Sequence, residues 1–503
     1  MQHAFGIPKP SAPSFHSHVQ ASIFPTQRHT MNRLYLYSVC AVGALGGLLF
    51  GYDTAVISGA IGYMSKHFTM TPAMEGWASS CVLLGAAFGA GIAGWLSDRL
   101  GRKSGLLFAS VCFLVSAAGT SGAPTLAFFV IFRILGGIGV GAASIISPMY
   151  IAEVTPPRMR GKMVTLNQFA IISGMLIIYF VNYLISNQGT EEWNQTMGWR
   201  WMFGSGVFPA LLLFCASFFI PESPRWLIAN RAAGAAKARK ILAKVGGDAY
   251  ASDELREIAG SVKQESSRIA SLLSRPFRIV FLLGIALAVL QQVTGINVFM
   301  YYAPEIFKSI VKGTQTDVAL LQTIIIGACN MLFTIISFSL VDRLGRKPLM
   351  LIGSAGMFLS LTAMGLATYF NRTEGWLLAI ILGYIASFSL AVGPVTWVLL
   401  SEIFPTRMRG VAMAFATICM WVANYAVSQT FPMLDKSGPL IALFHHALPF
   451  WVYAFFCIVL FALVAAYIPE TKGKSLEAIE GYWIHRREGH DVQREGHRVT
   501  EPS

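Results

Sequence analysis

The sequence predicts an all-α integral membrane protein of twelve transmembrane helices arranged as two six-helix repeats. Three observations carry that prediction. Of the 503 residues, 54% are hydrophobic and only 13% charged, about half the charge of a soluble globular chain, and the mean hydropathy is +0.57. The apolar residues gather into runs of about 20, long enough to cross the hydrocarbon core as helices. The charged residues are confined to short segments between those runs, and several of these segments occur twice. A soluble enzyme, a nucleic-acid binder and a disordered chain are all poor readings of this pattern.

Residues 1–33, rich in Pro, Ser and His and without a charged-then-apolar leader pattern, are expected to form a disordered N-terminal tail, with Met31 an alternative start. The apolar runs then follow at 34–63, 76–97, 104–121, 124–151, 162–187, 198–220, 277–308, 317–341, 348–369, 375–401, 411–434 and 441–468. Residues 34–221 make the first six-helix half and 277–470 the second. Between them, 222–276 is a polar cytoplasmic linker with short helices such as Ala235–Val245 and Asp253–Lys263, and 471–503 is a cytoplasmic tail.

An even number of crossings puts both termini on one side. Of the 38 Lys and Arg, Lys66, Lys308, Lys312, Arg372 and Lys436 fall in loops on the opposite face. Arg133 and Arg200 lie in or against runs, and the rest are on the terminal side. By the positive-inside rule both termini are expected in the cytoplasm, with the chain in the bacterial inner (plasma) membrane. The net charge of +13 therefore orients the chain and is not read as nucleic-acid binding. Seven cysteines, at 40, 81, 112, 215, 329, 419 and 457, all lie inside runs without CxxC spacing. They are expected to pack as small hydrophobes, with no disulfide, metal or cofactor.

The duplication is carried by three motifs in the same order. Asp98-Arg99-Leu100-Gly101-Arg102-Lys103 recurs as Asp342-Arg343-Leu344-Gly345-Arg346-Lys347. Glu153 followed by Pro157-Arg158-Met159-Arg160-Gly161 recurs as Glu402 followed by Thr406-Arg407-Met408-Arg409-Gly410, and Pro221-Glu222-Ser223 as Pro469-Glu470-Thr471. Two parallel six-span repeats with a site between them are the layout of a major-facilitator transporter. The paired acids and arginines at the cytoplasmic helix ends suit a gate that latches the halves together when the cavity faces outward. Alternatively, they anchor helix ends at the headgroups.

Two ionisable residues lie deep in runs, where each costs roughly 2.5–3.5 kcal/mol to insert. Asp53 in the first run and Arg133 in the fourth both lie roughly 13–15 Å below the outer boundary at helical rise. They are expected to form a buried pair, either a proton-linked switch or a static tie between two helices. A second constellation is neutral. Gln291, Gln292, Asn297, Tyr301, Asn330, Gln168 and Trp397 supply uncharged donors, acceptors and aromatic walls suited to a polyhydroxylated solute.

These residues, with Gly47–Gly59, Arg133–Gly141, Pro221–Trp226, Gln291–Asn297, Val341–Lys347 and Pro469–Gly473, resemble the sugar porter family of the major facilitator superfamily, across essentially residues 34–478. The chain is more similar to the family's bacterial proton-coupled members than to the animal facilitative transporters. The resemblance implies that Gln168, Gln291, Gln292, Asn297, Asn330 and Trp397 contact sugar, with Phe50, Tyr301 and Trp421 as aromatic neighbours. It implies that Asp53 is the proton-coupling carboxylate and Arg133 its partner. It assigns Glu153, Arg160, Arg225, Asp342, Arg346, Glu402 and Arg409 to the cytoplasmic charge network, alongside the Asp98 and Arg102 of the duplicated motif. One departure is Met420, where the family carries a sugar-contacting amide; a thioether accepts only weakly.

The expected function is import of a neutral monosaccharide, D-xylose or a related pentose or hexose, by proton symport with alternating access, as a monomer in the lipid bilayer. A facilitative uniporter is the alternative, which an acid at Asp53 argues against. A transporter-like sugar sensor would need a larger cytoplasmic domain than the linker and tail provide. A drug–proton antiporter would favour a greasier cavity, and no GxxxxGK[ST] points to ATP-driven transport. No enzymatic activity is expected.

Overall fold

The computed structural model describes residues 32–230, 234–262, 278–310, 315–372, 376–404 and 409–474, with residues 479 and 483. Most of both predicted tails, together with Lys263, Lys312 and Thr406-Arg407-Met408, lies outside the described residues. Among these residues twelve helices are long and apolar enough to cross a membrane. Spans 1–6 are Arg33–His67, Pro72–Leu100, Arg102–Ser121, Leu126–Val154, Met159–Ser186 and Glu191–Phe219. Spans 7–12 are Arg278–Ile310, Thr316–Leu344, Arg346–Tyr369, Leu377–Ile403, Arg409–Asp435 and Leu448–Tyr467. The chain is a multi-pass, all-α membrane protein, and phenylalanines such as Phe208 and Phe219 stand bare on its outer surface, as side chains facing acyl chains do.

Four spans are longer or less regular than the apolar runs suggest. Span 1 is two helices, Arg33–Ala55 and Ile57–His67, joined at Val56. Span 6 begins at Glu191, before the run predicted from 198, and passes through a π-helical turn at Asn194–Gly198. Span 7 breaks between Val293 and Ile296, where Gly295 takes φ +92°, the left-handed conformation that ends helices and that glycine adopts without strain. Span 10 loosens into a π-helical turn at Phe388–Val392 before Gly393-Pro394. Pro394 has no N–H to return to the preceding turn, so the ladder there is already short of a donor.

Close approach of backbones holds the first half together. A Cβ on Gly85 or Gly89 of span 2 would collide with carbonyls of span 4, and one on Gly137 or Gly141 of span 4 with carbonyls of span 2. Small residues at four-residue spacing permit this contact, which apolar side chains alone would not drive in lipid. The glycine run after Arg133 therefore positions that arginine's helix. The polar linker forms Pro224–Asn230 and Gly234–Val262, the latter two helical pieces meeting at Gly247 with φ +85°. Trp226 and Leu227 pack on Ala238, and the Asn32 N–H donates to the Val245 carbonyl at 2.9 Å, tying the linker to the start of span 1. All seven cysteines are free thiols.

The halves meet along spans 2 and 11 and along spans 5 and 8. On the face away from the termini, Lys436 donates to Glu75 at 2.6 Å, and Gln429 accepts from Ser80 at 3.0 Å and donates to the Ala73 carbonyl at 3.0 Å. Nearby, the Tyr179 hydroxyl donates to the Met300 carbonyl at 2.8 Å. This face is therefore fastened shut.

Candidate functional site

Asp53 and Arg133 form the expected pair. Arg133 Nη1 donates to Asp53 Oδ2 at 2.9 Å and to the Asp53 carbonyl at 3.1 Å. The arginine side chain is 0% exposed and the aspartate 13%. The guanidinium lies 5.3 Å from the Phe203 ring centroid, yet its Nε and Nη2 have no hydrogen-bond partner. A buried guanidinium satisfied on one nitrogen depends heavily on its one carboxylate, and removing such a partner costs far more than the intact pair contributes. Asp53 also borders a small cavity lined by Tyr52, Phe113, Phe203 and Gly206. Protonating Asp53 would remove the charge that attracts Arg133.

The neutral residues assemble around the breaks in spans 7 and 10. The broken helix of span 7 lets Asn297 Nδ2 reach back and donate to Gln292 Oε1 at 2.6 Å. Gln292 Nε2 lies 3.5 Å from Gln291 Oε1, and Gln291 Nε2 donates to the Gly393 carbonyl of span 10 at 3.0 Å. Asn330 of span 8 accepts from Ser389 at 2.7 Å. Gln291, Gln292, Tyr301, Met420 and Trp421 are buried, while Asn297 and Trp397 are half-buried. Trp421 faces Phe50 of the first half with ring centroids 5.5 Å apart, and its indole Nε1 has no partner. A buried donor left unpaired is uncommon in a folded protein and marks this position as one that needs an explanation. Gln168 lies half-buried on span 5, and no hydrogen bond among the described residues joins it to this amide group. Ser389 was missed by sequence reasoning, because a serine in an apolar run gives no signal until the π turn directs it at Asn330.

The duplicated charges form two matching clusters at the terminal-side helix ends. In the first half, Arg102 donates to Glu153 at 2.9 Å and to Asp98 at 3.2 Å, and Ser223 donates to Glu153. In the second, Arg346 donates to Glu402 at 3.1 Å and to Asp342 at 3.2 Å, and Thr471 donates to Glu402 at 2.6 Å. Glu222 accepts the backbone N–H groups of Arg102 and Lys103 at 2.8 and 3.1 Å. Glu470 likewise accepts those of Arg346 and Lys347, both at 3.0 Å. Each glutamate thus caps the N-terminus of the helix that follows the motif, where unpaired donors and the helix dipole favour an anion. Gly101 and Gly345, at φ +100° and +94°, are required twice over, since a Cβ at either would also strike that glutamate.

The sequence suggested that these charges either latch the halves together while the cavity faces outward or anchor helix ends at the headgroups. Here the partners of Arg102 and Arg346 lie within their own halves. Arg160 Nε donates to the Ala152 carbonyl at 2.9 Å, and Arg409 lies at 3.5 Å from the Phe404 carbonyl. Arg225 sits on the linker helix Pro224–Asn230.

The sequence profile of the family described as sugar (and other) transporter matches residues 39–483. This chain is a member of that family. It is 42% identical to the D-xylose–proton symporter of Escherichia coli over 90% of this chain and 96% of the relative. It is also 42% identical to the arabinose–proton symporter of Bacillus subtilis over 91% and 97%. The inward-open conformation of the E. coli xylose transporter superimposes with a TM-score of 0.78 at 39% identity, covering 89% of this chain and 100% of that one. Membership makes the protein a sugar transporter of major-facilitator fold rather than an enzyme.

Proposed function

We propose that this chain imports a neutral monosaccharide, D-xylose or a related pentose or hexose, together with a proton. The observation that carries the reading is the Asp53–Arg133 pair, buried in the half opposite the amide cluster. The names of the two sugar–proton symporters at 42% identity support the same reading. In this reading both termini face the cytoplasm, and residues 34–221 and 277–470 rock against each other in the bilayer. Each chain holds a complete pathway, so a monomer suffices.

Sugar enters while the far face is open and binds Gln291, Gln292, Asn297 and Asn330, with Gln168, Trp397, Tyr301 and Met420 alongside. Phe50 and Trp421 then close over it from opposite halves. A proton on Asp53 releases Arg133 and permits the halves to rock, and its loss to the cytoplasm restores the pair. The arginines at 102, 160, 225, 346 and 409 and the acids at 98, 153, 342 and 402 form the cytoplasmic gate. Each proton moved inward gains about 2.3 kcal/mol per 100 mV of membrane potential, enough for roughly fifty-fold accumulation at one proton per sugar.

The test is uptake of labelled D-xylose and D-glucose by reconstituted vesicles, with and without an inward proton gradient. Accumulation that a protonophore collapses supports symport. Equilibration that ignores the gradient would make the carrier a uniporter and the Asp53–Arg133 pair a structural tie.

A further inference from the structure

The bond between Lys436 and Glu75, which crosses from one half to the other, belongs to a larger group of charges. Glu75, 5% exposed near the start of span 2, also accepts from Ser65 on the outer helix of span 1. Asp435, the neighbour of Lys436 at the end of span 11, is 4% exposed and lies 2.9 Å from His446 Nδ1. Two buried carboxylates therefore share one lysine and one histidine. With His446 neutral the group keeps an unmatched negative charge, and with His446 protonated it balances. A buried charge without a counter-ion is costly, so the arrangement favours the imidazolium.

The backbone brings His446 to this acid against its own preference. His445 and His446 stand consecutively at φ +48° and +66° in the turn before span 12, left-handed conformations that residues with a Cβ adopt reluctantly. Side chains hold both. His445 Nδ1 donates to the Tyr369 carbonyl of span 9 at 2.8 Å, and His446 reaches back to Asp435. The other titratable groups around them are Lys436 and Glu75 along the fastening and Tyr453 of span 12, within range of the Asp435 charge. Asp435 is the charged group that acts on His446, and its hydrogen bond and charge lift the imidazole above the ordinary 6.5 against partial burial. A group raised in this way contributes stability below its ordinary value and loses that contribution as pH rises through the raised one.

We propose that His446 is a positioning residue for the far-face fastening and makes that fastening respond to the pH on its own side. While His446 is protonated, Asp435 is neutralised and Lys436 is left wholly to Glu75. When His446 gives up its proton, Asp435 regains an unmatched charge one residue from Lys436 and competes with Glu75 for it. The fastening is therefore tightest in acid and loosens in alkali. This device is separate from the proton on Asp53 and from the identity of the sugar.

The experiment is hydrogen exchange by mass spectrometry on the purified full chain without sugar, following residues 71–77 and 428–436. Variants and wild type are compared at equal pH, once at about pH 6 and once at about pH 9, on either side of the histidine range. Lys436→Met, which breaks the fastening, should exchange several-fold faster in both segments at either pH. His446→Asn keeps a residue that tolerates the left-handed backbone. It should exchange roughly three- to ten-fold faster than wild type at the lower pH and match it at the higher. In an Asp435→Asn background, where the charge to be balanced is gone, His446→Asn should have no further effect. An equal His446→Asn difference at both pH values, or none at the lower, would overturn the proposal. So would unaltered exchange in Lys436→Met, since there would then be no fastening to regulate.

Discussion

The two glutamates that cap spans 3 and 9 occupy the same place in the duplicated motif, yet they hold their protons differently. Burial raises the Glu222 carboxyl above the ordinary carboxylate range, and the backbone donors of Ser223, Lys103 and Arg102 only partly offset it. Burial also pushes Glu470 up, but there the backbone donors of Lys472, Arg346, Lys347 and Thr471 outweigh it and leave the group below the ordinary range. The larger cause is burial, since Glu222 is the more deeply enclosed of the two, and the donors are also arranged differently. In the first half the donors of Arg102, Lys103 and Ser223 all converge on one oxygen, whereas in the second they are shared over both. One motif copied twice has thus become a tighter, drier cluster in one half and a better-solvated anion in the other. The interior work is divided in the same way: the first half carries the buried ion pair and the second the amides.

The strongest way to break this division is Asp53→Asn. Uphill, protonophore-sensitive accumulation should disappear while sugar binding remains measurable; concentrative uptake by this variant would sink the proton role. The next largest effect should separate the two arginines. Arg102 and Glu153 are about nine-tenths buried, while Arg346 and Glu402 are more open. Leaving a buried acid without its partner costs on the order of 3 kcal/mol, so Arg102→Ala should lower the melting temperature in detergent more than Arg346→Ala. Equal losses would mean that burial does not distinguish the clusters.

A smaller effect concerns the amide chain. Gln292→Ala removes the acceptor of Asn297 and should weaken sugar binding at least several-fold, about the value of one or two hydrogen bonds; an unaltered affinity by titration would take it out of the site. The smallest concerns the capping glutamates themselves. Glu470, with its proton affinity lowered by folding, contributes stability above the unfolded value near 4.5 that is lost as pH falls through its folded value. Glu222 is the reverse, contributing below the unfolded value and losing that contribution as pH rises through its raised one. At neutral pH, Glu470→Gln should therefore reduce thermal stability more than Glu222→Gln. The opposite order in paired melting curves would refute the contrast.

Much of this was legible before any coordinates. Charge segregation gives the number of spans, and the repeated Asp-Arg-Leu-Gly-Arg-Lys gives the duplication. Asp53 and Arg133 could be paired because helical rise places them at one depth. The break at Gly295 was not legible, since the apolar run continues through it. The capping role of Glu222 and Glu470 was not, because each glutamate meets its helix N-terminus across most of a half. Nor was the π turn at 388–392, since Phe-Ser-Leu-Ala-Val has the composition of any membrane helix. The Glu75–Lys436 bond joins the two ends of the paired spans, and no local pattern announces such a partner.

That last bond bears on what an external observer would measure. If the termini face the cytoplasm, a carrier fastened by Glu75 and Lys436 presents no entrance to solute from outside. Affinity titrated from outside then equals the intrinsic affinity diluted by the small fraction of carriers unfastened at that moment. A sugar tightly held by the solubilised protein can therefore look weakly held by the intact cell, with every contact to it unchanged.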